Sequence, residues 1–359
     1  MAEELKTVTL GRGTGECILV ELEENNWMVI DCFNEPSSGR PAPIVYLEHI
    51  GLSAKDVIKK VVITHFHTDH VMGMHKLIQE IDSSASIYMS LAMTHDEAKK
   101  YYSEMNILNN DEKLSGVAEF CKIINYLADS GRKVIKVKQD TTLFSGKNLL
   151  VQALSPSEED TTLAQNSFLA LVTNSDSHPD VQHAKRFTPN HFCIALSIRC
   201  LRSDRYIVLG SDLEISKSDT SGWGAAMSAE CAPDAGTIDV MKIAHHGSEN
   251  GYHMDTWTKF TSDDVISLLT TFDRQKLPRE DYIEVYKKHS KALLSTTKPK
   301  STCKLDDVIS KSSVKKVSSQ PGFSVTVKRT SPVNQYGYIE TFRMDEHFKY
   351  RLYGDAIRL

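Results

Sequence analysis

The order of apolar and polar positions predicts alternating strands and helices in the first ninety residues. Two apolar runs flank a Glu-Asn-Asn turn in "ECILVELEENNWMVIDC" (residues 16–32), which predicts a β-hairpin whose second strand ends at Asp31. "PIVYLEHIGL" predicts a short helix, "DVIKKVVITHF" a buried strand, "VMGMHKLIQEI" a second helix and "SIYMS" another strand. The residues between "VVI" and "VMGMH" therefore form a strand-to-helix turn, where α/β folds place chemistry.

The remaining pattern repeats this alternation after a helical stretch. Residues 94–129 are predicted to be mostly helix and are interpreted as an insertion. Two strands around a Gly turn are expected in "RKVIKVKQDTTLFSGKNLLVQALSPS", followed by the polar stretch "SEEDTTLAQNS". Further strands are predicted in "FCIALSIRCLRSDRYIVLGSDLE", "TIDVMKIAHHGS", "DVISLLTTF" and from "FSVTVKRT" onwards, with helices at "HMDTWTKFT" and "REDYIEVYKKH". Strands in both halves, each half closing with helices, predict an α/β fold with a four-layer αββα sandwich.

Composition and charge narrow the class of protein. A chain of 359 residues with 40% hydrophobic content can bury a substantial core without covalent cross-links. Its net charge of −5 gives no overall attraction to nucleic acid. The seven scattered cysteines contain no Cys-x-x-Cys pair and are expected to be reduced. Because no secretory pattern opens the chain and no segment approaches the roughly 18 apolar residues of a membrane span, we expect a cytoplasmic protein without membrane association.

The segment "THFHTDH" concentrates histidine and aspartate at the predicted strand-to-helix turn. His65 and His67 are two residues apart at a strand end and project to the same side, while Asp69 and His70 begin the next helix and converge beside them. Without a metal, so many polar groups beside a β core would be costly to bury. The cluster therefore predicts a metal site.

The pattern His-x-His-x-Asp-His resembles the signature of the metallo-β-lactamase superfamily. Later segments supply the residues that the family places in order along the chain, namely "TPNH" with His191, "GSD" with Asp212, and "AHHGS" with His245 and His246. The trio HFHTDH, GSD and AHHGS is similar, more narrowly, to the DNA-uptake channel ComEC and its soluble relatives, which commonly carry Asn-Asn at 190–191 and Gly-Asp at 211–212. The resemblance implies a metallo-β-lactamase-like catalytic domain over 1–300, with residues 301–359 as a β-rich extension packed on the same domain.

The resemblance also implies a dinuclear site with divalent ions, zinc or manganese. The ligands it implies are His65, His67 and His191 on one metal, Asp69, His70 and His246 on the other, and Asp212 as the bridge. His191 either completes the first set or is only a polar neighbour. His246 is favoured over His245 as a ligand because the coordinating imidazole in related sites directly precedes a glycine. His245 then either supports a ligand or protonates the leaving group, and Asp31 either orients a ligating histidine or caps a turn.

A basic segment near the C-terminus bears on the substrate. Residues 297–330 carry eight Lys or Arg against two Asp, and Lys311, Lys315 and Lys316 are candidates to contact phosphates. Ser248 and the run Ser295–Thr297 are further candidate donors. The alternative is a solvated loop, because aromatic residues are nearly absent there.

Three functions follow from these observations. The first is a phosphodiesterase or nuclease that uses a metal-bound hydroxide, with Asp69 and His245 in the catalytic machinery and a nucleic acid or nucleotide as substrate. The second is a hydrolase of a small ester, thioester or lactam. The third is a non-catalytic, metal-stabilised module of a larger assembly. The sequence identifies no partner protein.

Overall fold

The computed structural model describes residues 4–105, 115–173, 189–302 and 335–359. It contains two eight-stranded mixed sheets, ordered β15-β14-β1-β2-β3-β4-β5-β6 and β16-β13-β12-β11-β10-β9-β8-β7. The first sheet consists of β1 (Glu4–Gly11), β2 (Glu16–Glu21), β3 (Trp27–Ile30), β4 (Ile58–Ile63), β5 (Ser86–Ser90), β6 (Val134–Val137), β14 (Gly337–Met344) and β15 (His347–Gly354). The second consists of β7 (Thr142–Ser145), β8 (Leu149–Ala153), β9 (Leu196–Cys200), β10 (Arg205–Leu209), β11 (Ile238–Lys242), β12 (Thr261–Leu269), β13 (Ala292–Ser295) and β16 (Ile357–Arg358).

Helices cover the outer face of each sheet. Those described are α1 (Ala42–His49), α2 (Ala54–Val57), α3 (Thr68–Val71), α4 (Met74–Glu80), α5 (Asp96–Met105), α6 (Ser115–Asp129), α7 (Glu158–Thr173), α8 (Gly222–Ala226) and α9 (Glu280–His289). No helix among the described residues is long and apolar enough to cross a bilayer.

Three separate apolar layers confirm the predicted four-layer αββα sandwich. Residues alternate along the strands, so that Ile18 and Val20 of β2 face the second sheet while Cys17 and Leu19 pack against the helices of the first. On the other side of the molecule, Trp223 and its neighbours form the third layer between the second sheet and its helices. Both faces of each central strand are therefore apolar, as expected for strands buried on both sides.

Several predicted elements are confirmed and two differ in detail. The hairpin β2–β3, the strand β4 and the pair β9–β10 lie where the pattern placed them. The single helix predicted over 71–81 is two short helices, because Gly73 between them adopts a left-handed φ of 88°. The two strands predicted around the Gly turn are three, β6, β7 and β8. A turn with Asp140 at a φ of 65° separates β6 in the first sheet from β7 in the second.

The polar stretch "SEEDTTLAQNS", to which the sequence pattern assigned no strand or helix, is the start of helix α7. Ser157 Oγ accepts a hydrogen bond from the Asp160 backbone N–H, and Asp160 Oδ2 accepts one from the Ser157 backbone N–H. This reciprocal pair satisfies two of the unpaired N–H groups at the helix start. The acidic residues of this stretch lie in the first turn of a capped helix, where the helix dipole favours them.

The C-terminal strands are built into both sheets. Strand β14 pairs with β1 and β15, and β16 pairs with β13. The division of the chain at residue 300 stays a prediction, and "FSVTVKRT" (323–330) lies outside the described residues. The six described cysteines are all buried and free, whereas Cys303 lies outside that part of the chain.

Candidate metal centre

The candidate site residues converge at one edge of the sandwich. Parallel pairing of β3 with β4 and of β10 with β11 brings the carboxyl ends of these strands to the same edge. The loops that follow carry Asp31 after β3, the segment 65–70 after β4, Asp212 after β10, and His245 with His246 after β11. Four segments distant in sequence therefore supply a single cluster.

Asp212 lies between two sets of side chains and turns one oxygen toward each. Its Oδ2 is 3.6 Å from His65 Nε2 and 3.9 Å from His67 Nδ1. Its Oδ1 is 3.3 Å from His70 Nε2 and 3.7 Å from His246 Nε2. Asp69 Oδ2 completes the second set, at 3.6 Å from His70 Nε2 and 2.9 Å from His246 Nε2. The carboxylate of Asp212 thus faces both halves of the cluster.

Buried polar atoms without partners point into the centre of this cluster. Within the described residues, His70 Nε2 and Asp212 Oδ1 have no hydrogen-bond partner, and His246 Nε2 makes no hydrogen bond although Asp69 Oδ2 lies 2.9 Å from it. Leaving such atoms unsatisfied in a protein interior is costly. A cation between them would satisfy all three, and imidazole nitrogens with carboxylate oxygens are ligands suited to zinc and similar ions. The residues present therefore fit a metal centre.

The electrostatics of the cluster agree with that fit. Burial, reinforced by the neighbouring charge of His70, lowers the pKa of His65 to about 3, which keeps its imidazole in the neutral form that binds metals. Burial raises the pKa of Asp69 and Asp212, but the attraction of His70 and His246 outweighs it and holds both pKa values below their ordinary range. Burial lowers the pKa of His70, but Asp212, Asp69 and Asp31 raise it well above its usual value. The site is thus strongly attractive to a cation.

Three groups of described His, Asp and Glu side chains could hold a metal ion, namely His65 with His67 and Asp212, Asp31 with His65 and His70, and Glu16 with His70 and His246. Only in the first does the carboxylate face the centre of the cluster. Asp31 lies behind His70, with Oδ2 at 2.7 Å from Nδ1, and Glu16 lies behind His246 on its Nδ1 side at 3.7 Å. These two carboxylates are placed to orient rings rather than to bind between them.

Asp31 is itself fixed by the strand that carries the cluster. The Thr64 backbone N–H donates to Asp31 Oδ1, and the Thr64 hydroxyl donates to Oδ2. The carboxylate next to His70 Nδ1 sets that ring so that Nε2 faces Asp212. This contact agrees with the orienting role predicted for Asp31, and its effect on a bound metal stays a prediction.

The paired histidines after β11 point in different directions. Both adopt left-handed backbone angles, with φ of 47° at His245 and 52° at His246. Such conformations in residues other than glycine concentrate at functional sites. His246 is buried against Asp69, whereas His245 Nδ1 lies 3.1 Å from Glu214 Oε1 and its Nε2 lies 3.2 Å from Asn190 Nδ2. Burial lowers the pKa of His245, but Asp212 and Glu214 outweigh burial and raise it.

The other sequence candidates belong to none of these three groups or lie outside the described residues. His191 belongs to none of the three groups and its ring contacts Phe192, so its role as a ligand stays a prediction. The Ser248 hydroxyl donates to Asn250 Oδ1 and accepts from the Gly251 N–H, so it would have to release Asn250 to donate to a phosphate. The run Ser295–Thr297 is fully buried and contacts no solvent, which contradicts its proposed contact with phosphate. Lys311, Lys315 and Lys316 lie outside the described residues.

An aromatic core supports the loop that carries His65 and His67. Phe66 lies between them, is 3% exposed, and packs with ring centroids 5.6 Å from Tyr102, 5.8 Å from Phe120 and 6.0 Å from Phe192. Helix α6 approaches so closely that a Cβ on Gly116 would lie 2.3 Å from the Phe66 carbonyl oxygen. The predicted helical insertion therefore holds the loop from its outer side.

Phe66→Ala is expected to destabilise the protein by about 3–5 kcal/mol, because it removes a large buried side chain and leaves a cavity in the core. Urea unfolding followed by circular dichroism measures the change. The matched control is Phe348→Ala, which removes a half-buried phenylalanine at the opposite end of the sandwich. A destabilisation by Phe66→Ala no larger than that of the control would contradict the supporting role.

Sequence reasoning missed Glu16, Lys242, Asn190 and Glu214. Lys242 and Glu16 are buried around His246, and Asn190 and Glu214 contact His245. One signal was available, since Lys242 interrupts an otherwise apolar strand "VMKIA" directly before the histidine pair. A lysine at such a position requires a buried partner.

Residues 10–152 match the family model described as Metallo-beta-lactamase superfamily. That range includes the segment 65–70, while Asp212, His245 and His246 follow it. No curated protein matches the chain.

The chain is similar to several solved structures. A motif mutant of a metallo-beta-lactamase from Cronobacter sakazakii has 13% identity and a TM-score of 0.31, with 56% of this chain and 60% of that one covered. The chain thus spans less than two thirds of that enzyme. MEM-A1, a subclass B3 metallo-beta-lactamase from a soil metagenome library, has 15% identity and a TM-score of 0.35, with coverages of 67% and 78%. A quorum-quenching N-acyl homoserine lactone lactonase has 15% identity and a TM-score of 0.30, with coverages of 64% and 85%.

Proposed function

We propose that this chain, whose residues 10–152 match the metallo-β-lactamase superfamily model, is a metal-dependent phosphodiesterase that cleaves nucleic acid. One observation carries this proposal. The described residues that flank the basic segment (297–330) lie beside the candidate metal centre. The resemblance of HFHTDH, GSD and AHHGS to the ComEC group supports the same substrate class.

Two divalent ions, zinc or manganese, fit the two halves of the cluster. His65, His67 and Oδ2 of Asp212 would hold one, with His191 as a further candidate. Asp69, His70, His246 and Oδ1 of Asp212 would hold the other. When bound, such a pair supplies a nucleophile at neutral pH and neutralises charge on the attacked phosphorus.

His245 is the candidate proton donor for the leaving oxygen. It is partly exposed beside the buried cluster, with its side chain 16% exposed, whereas His246 next to it is buried. Glu214 Oε1 faces its Nδ1, which favours the protonated ring and fixes its plane. A sugar alkoxide is a poor leaving group, so protonation by a positioned side chain accelerates its departure.

The described residues on both sides of the segment 303–334 lie beside the candidate metal centre. On one side, Lys300 Nζ contacts Asp273 Oδ2 at 2.8 Å, and the neighbouring Phe272 stacks on His246. On the other, the ring of Tyr336 lies 6.1 Å from that of Phe33, two residues after Asp31. Because a polyanion is attracted to clustered lysines, a basic segment whose described flanking residues lie beside the cluster favours a polymer of phosphodiesters over a small neutral ester.

The test is a substrate panel with protein purified without chelator. We expect elemental analysis to find two transition-metal ions per chain, and we expect cleavage of DNA or RNA and of bis-p-nitrophenyl phosphate. A chromogenic lactam is included for the competing hydrolase. Protein that holds its metals and hydrolyses the lactam but no diester would overturn the proposal, as would protein that binds neither zinc nor manganese.

Neutralising Lys311, Lys315 and Lys316 to glutamine should weaken binding to long nucleic acids and leave hydrolysis of bis-p-nitrophenyl phosphate unchanged. For every lysine that pairs with a phosphate, its neutralisation should reduce the slope of log affinity against log salt concentration by roughly one. The control replaces Lys287, Lys288 and Lys291, exposed lysines at the far end of the sandwich. Equal salt slopes in the two triple variants would assign the segment to a solvated loop.

A further inference from the structure

A buried ion pair joins the two sheets directly behind the metal centre. Glu16 begins β2 in the first sheet, and Lys242 ends β11 in the second. Lys242 Nζ donates a hydrogen bond to Glu16 Oε2, and the two side chains are 0% and 2% exposed. Burying two charges is expensive, and replacement by apolar residues is often neutral or stabilising. Stability alone therefore does not explain the pair.

The pair is linked to His246 through Thr270, which follows β12. The Thr270 hydroxyl donates to the same oxygen of Glu16. His246 Nδ1 lies 3.1 Å from Thr270 Oγ1 and 3.3 Å from the Thr270 carbonyl oxygen. Because the hydroxyl proton is given to Glu16, the Thr270 oxygens face Nδ1 as acceptors. This arrangement places the ring proton on Nδ1 and leaves the Nε2 lone pair toward Asp69 and Asp212.

Deepening the function proposed above, on whose metal centre it rests, we propose that Glu16 is a positioning residue that acts through Thr270 to hold His246 in its metal-binding tautomer, with Lys242 as the counter-ion of Glu16. If the carboxylate is removed, the Thr270 hydroxyl is free to rotate and donate to Nδ1. The ring proton then moves to Nε2, and that nitrogen no longer has a lone pair for a cation.

Glu16 is not a direct ligand in this proposal. Its Oε2 already accepts from the Lys242 ammonium and the Thr270 hydroxyl. A metal ion beside it would be repelled by that ammonium. The His246 nitrogen nearest to Glu16 is Nδ1, at 3.7 Å, whereas Nε2 faces the other carboxylates.

The experiment measures zinc affinity by competition with a chromogenic chelator, together with the thermal unfolding midpoint of the metal-free protein. The variants are Glu16→Gln, Thr270→Val and the double variant Glu16→Gln with Lys242→Met, which removes both charges together. The control is Arg205→Met with Asp239→Asn. This pair also joins β10 to β11, but at the amino ends of these strands, away from the candidate metal centre.

We expect the wild type to bind two zinc ions, and each variant around Glu16 to bind the weaker one about 10–100-fold less tightly, as is typical for loss of a partner behind a ligand. The control pair should bind both as the wild type does. If Glu16→Gln lowers the unfolding midpoint of the metal-free protein, the double variant should restore that midpoint. Its zinc affinity should stay low. A purely structural role of Glu16 would instead restore both quantities together.

The inference would be overturned if Thr270→Val bound zinc as tightly as the wild type. It would also be overturned if the double variant had both the unfolding midpoint and the zinc affinity of the wild type. Loss of both zinc ions with no change in the apo midpoint of Glu16→Gln would instead make Glu16 a ligand and also overturn it. The outcome is distinguishable from failure of the proposed function. Two zinc ions bound without cleavage of any diester would defeat the phosphodiesterase and leave this inference standing, whereas a wild type that binds no zinc would defeat both.

Discussion

Asp212→Ala should fold and lose at least about 100-fold in turnover, because losing even a partner behind a ligand costs up to about that much and Asp212 is itself a candidate ligand. Asp212 is the one carboxylate among the described residues whose two oxygens face the two halves of the cluster. Its removal leaves His65 with His67, and His70 with His246, without the carboxylate that faces both pairs. Because Oδ1 has no hydrogen-bond partner in the described part of the chain, its loss should cost the fold little.

Initial rates on bis-p-nitrophenyl phosphate and metal content per chain measure this effect. Asp219→Ala is the matched control, an exposed aspartate in the same loop after β10. We expect the Asp212 variant to hold fewer ions than the wild type, and the control to match the wild type in both measurements. Turnover near the wild-type value in Asp212→Ala would rule out the dinuclear arrangement.

The layered fold was predictable because its signals are local and repeated. Alternating apolar residues such as Ile18, Leu19 and Val20 mark a strand buried on both faces, and that pattern needs no knowledge of partners. Helix α7 was missed because a short signal had two meanings. The acidic run after Ser157 is typical of a loop and equally of a helix start, and only the hydrogen bonds between Ser157 and Asp160 distinguish the two.

The metal cluster was predictable to the extent that its residues are packed into short motifs. His65, His67, Asp69 and His70 lie in one hexapeptide, and the resemblance supplied Asp212 and His246. The surrounding groups were not predictable, because their meaning comes from contacts between distant segments. Glu16 and Lys242 are 226 residues apart, so the lysine in an apolar strand indicates that a buried partner exists but not which residue it is.

His245→Ala should separate two kinds of substrate. If His245 protonates the leaving oxygen, its loss should slow cleavage of DNA by about 10²–10⁴-fold, the range that general acid catalysis contributes. Cleavage of bis-p-nitrophenyl phosphate should change little, because p-nitrophenolate leaves without a proton. Glu214→Gln should act in the same direction, since Glu214 Oε1 lies 3.1 Å from His245 Nδ1 and supports the charged ring.

Rates on a DNA oligonucleotide and on bis-p-nitrophenyl phosphate, measured with the same preparations, give the ratio that decides the role. His49→Ala is the control, because His49 is exposed at the end of α1. Metal content should equal that of the wild type in both histidine variants. An equal loss on both substrates with reduced metal content would make His245 a ligand, contrary to the geometry that turns it toward Glu214 and Asn190 and leaves His246 facing Asp69. No loss on either substrate would mean that the leaving oxygen takes its proton from another group.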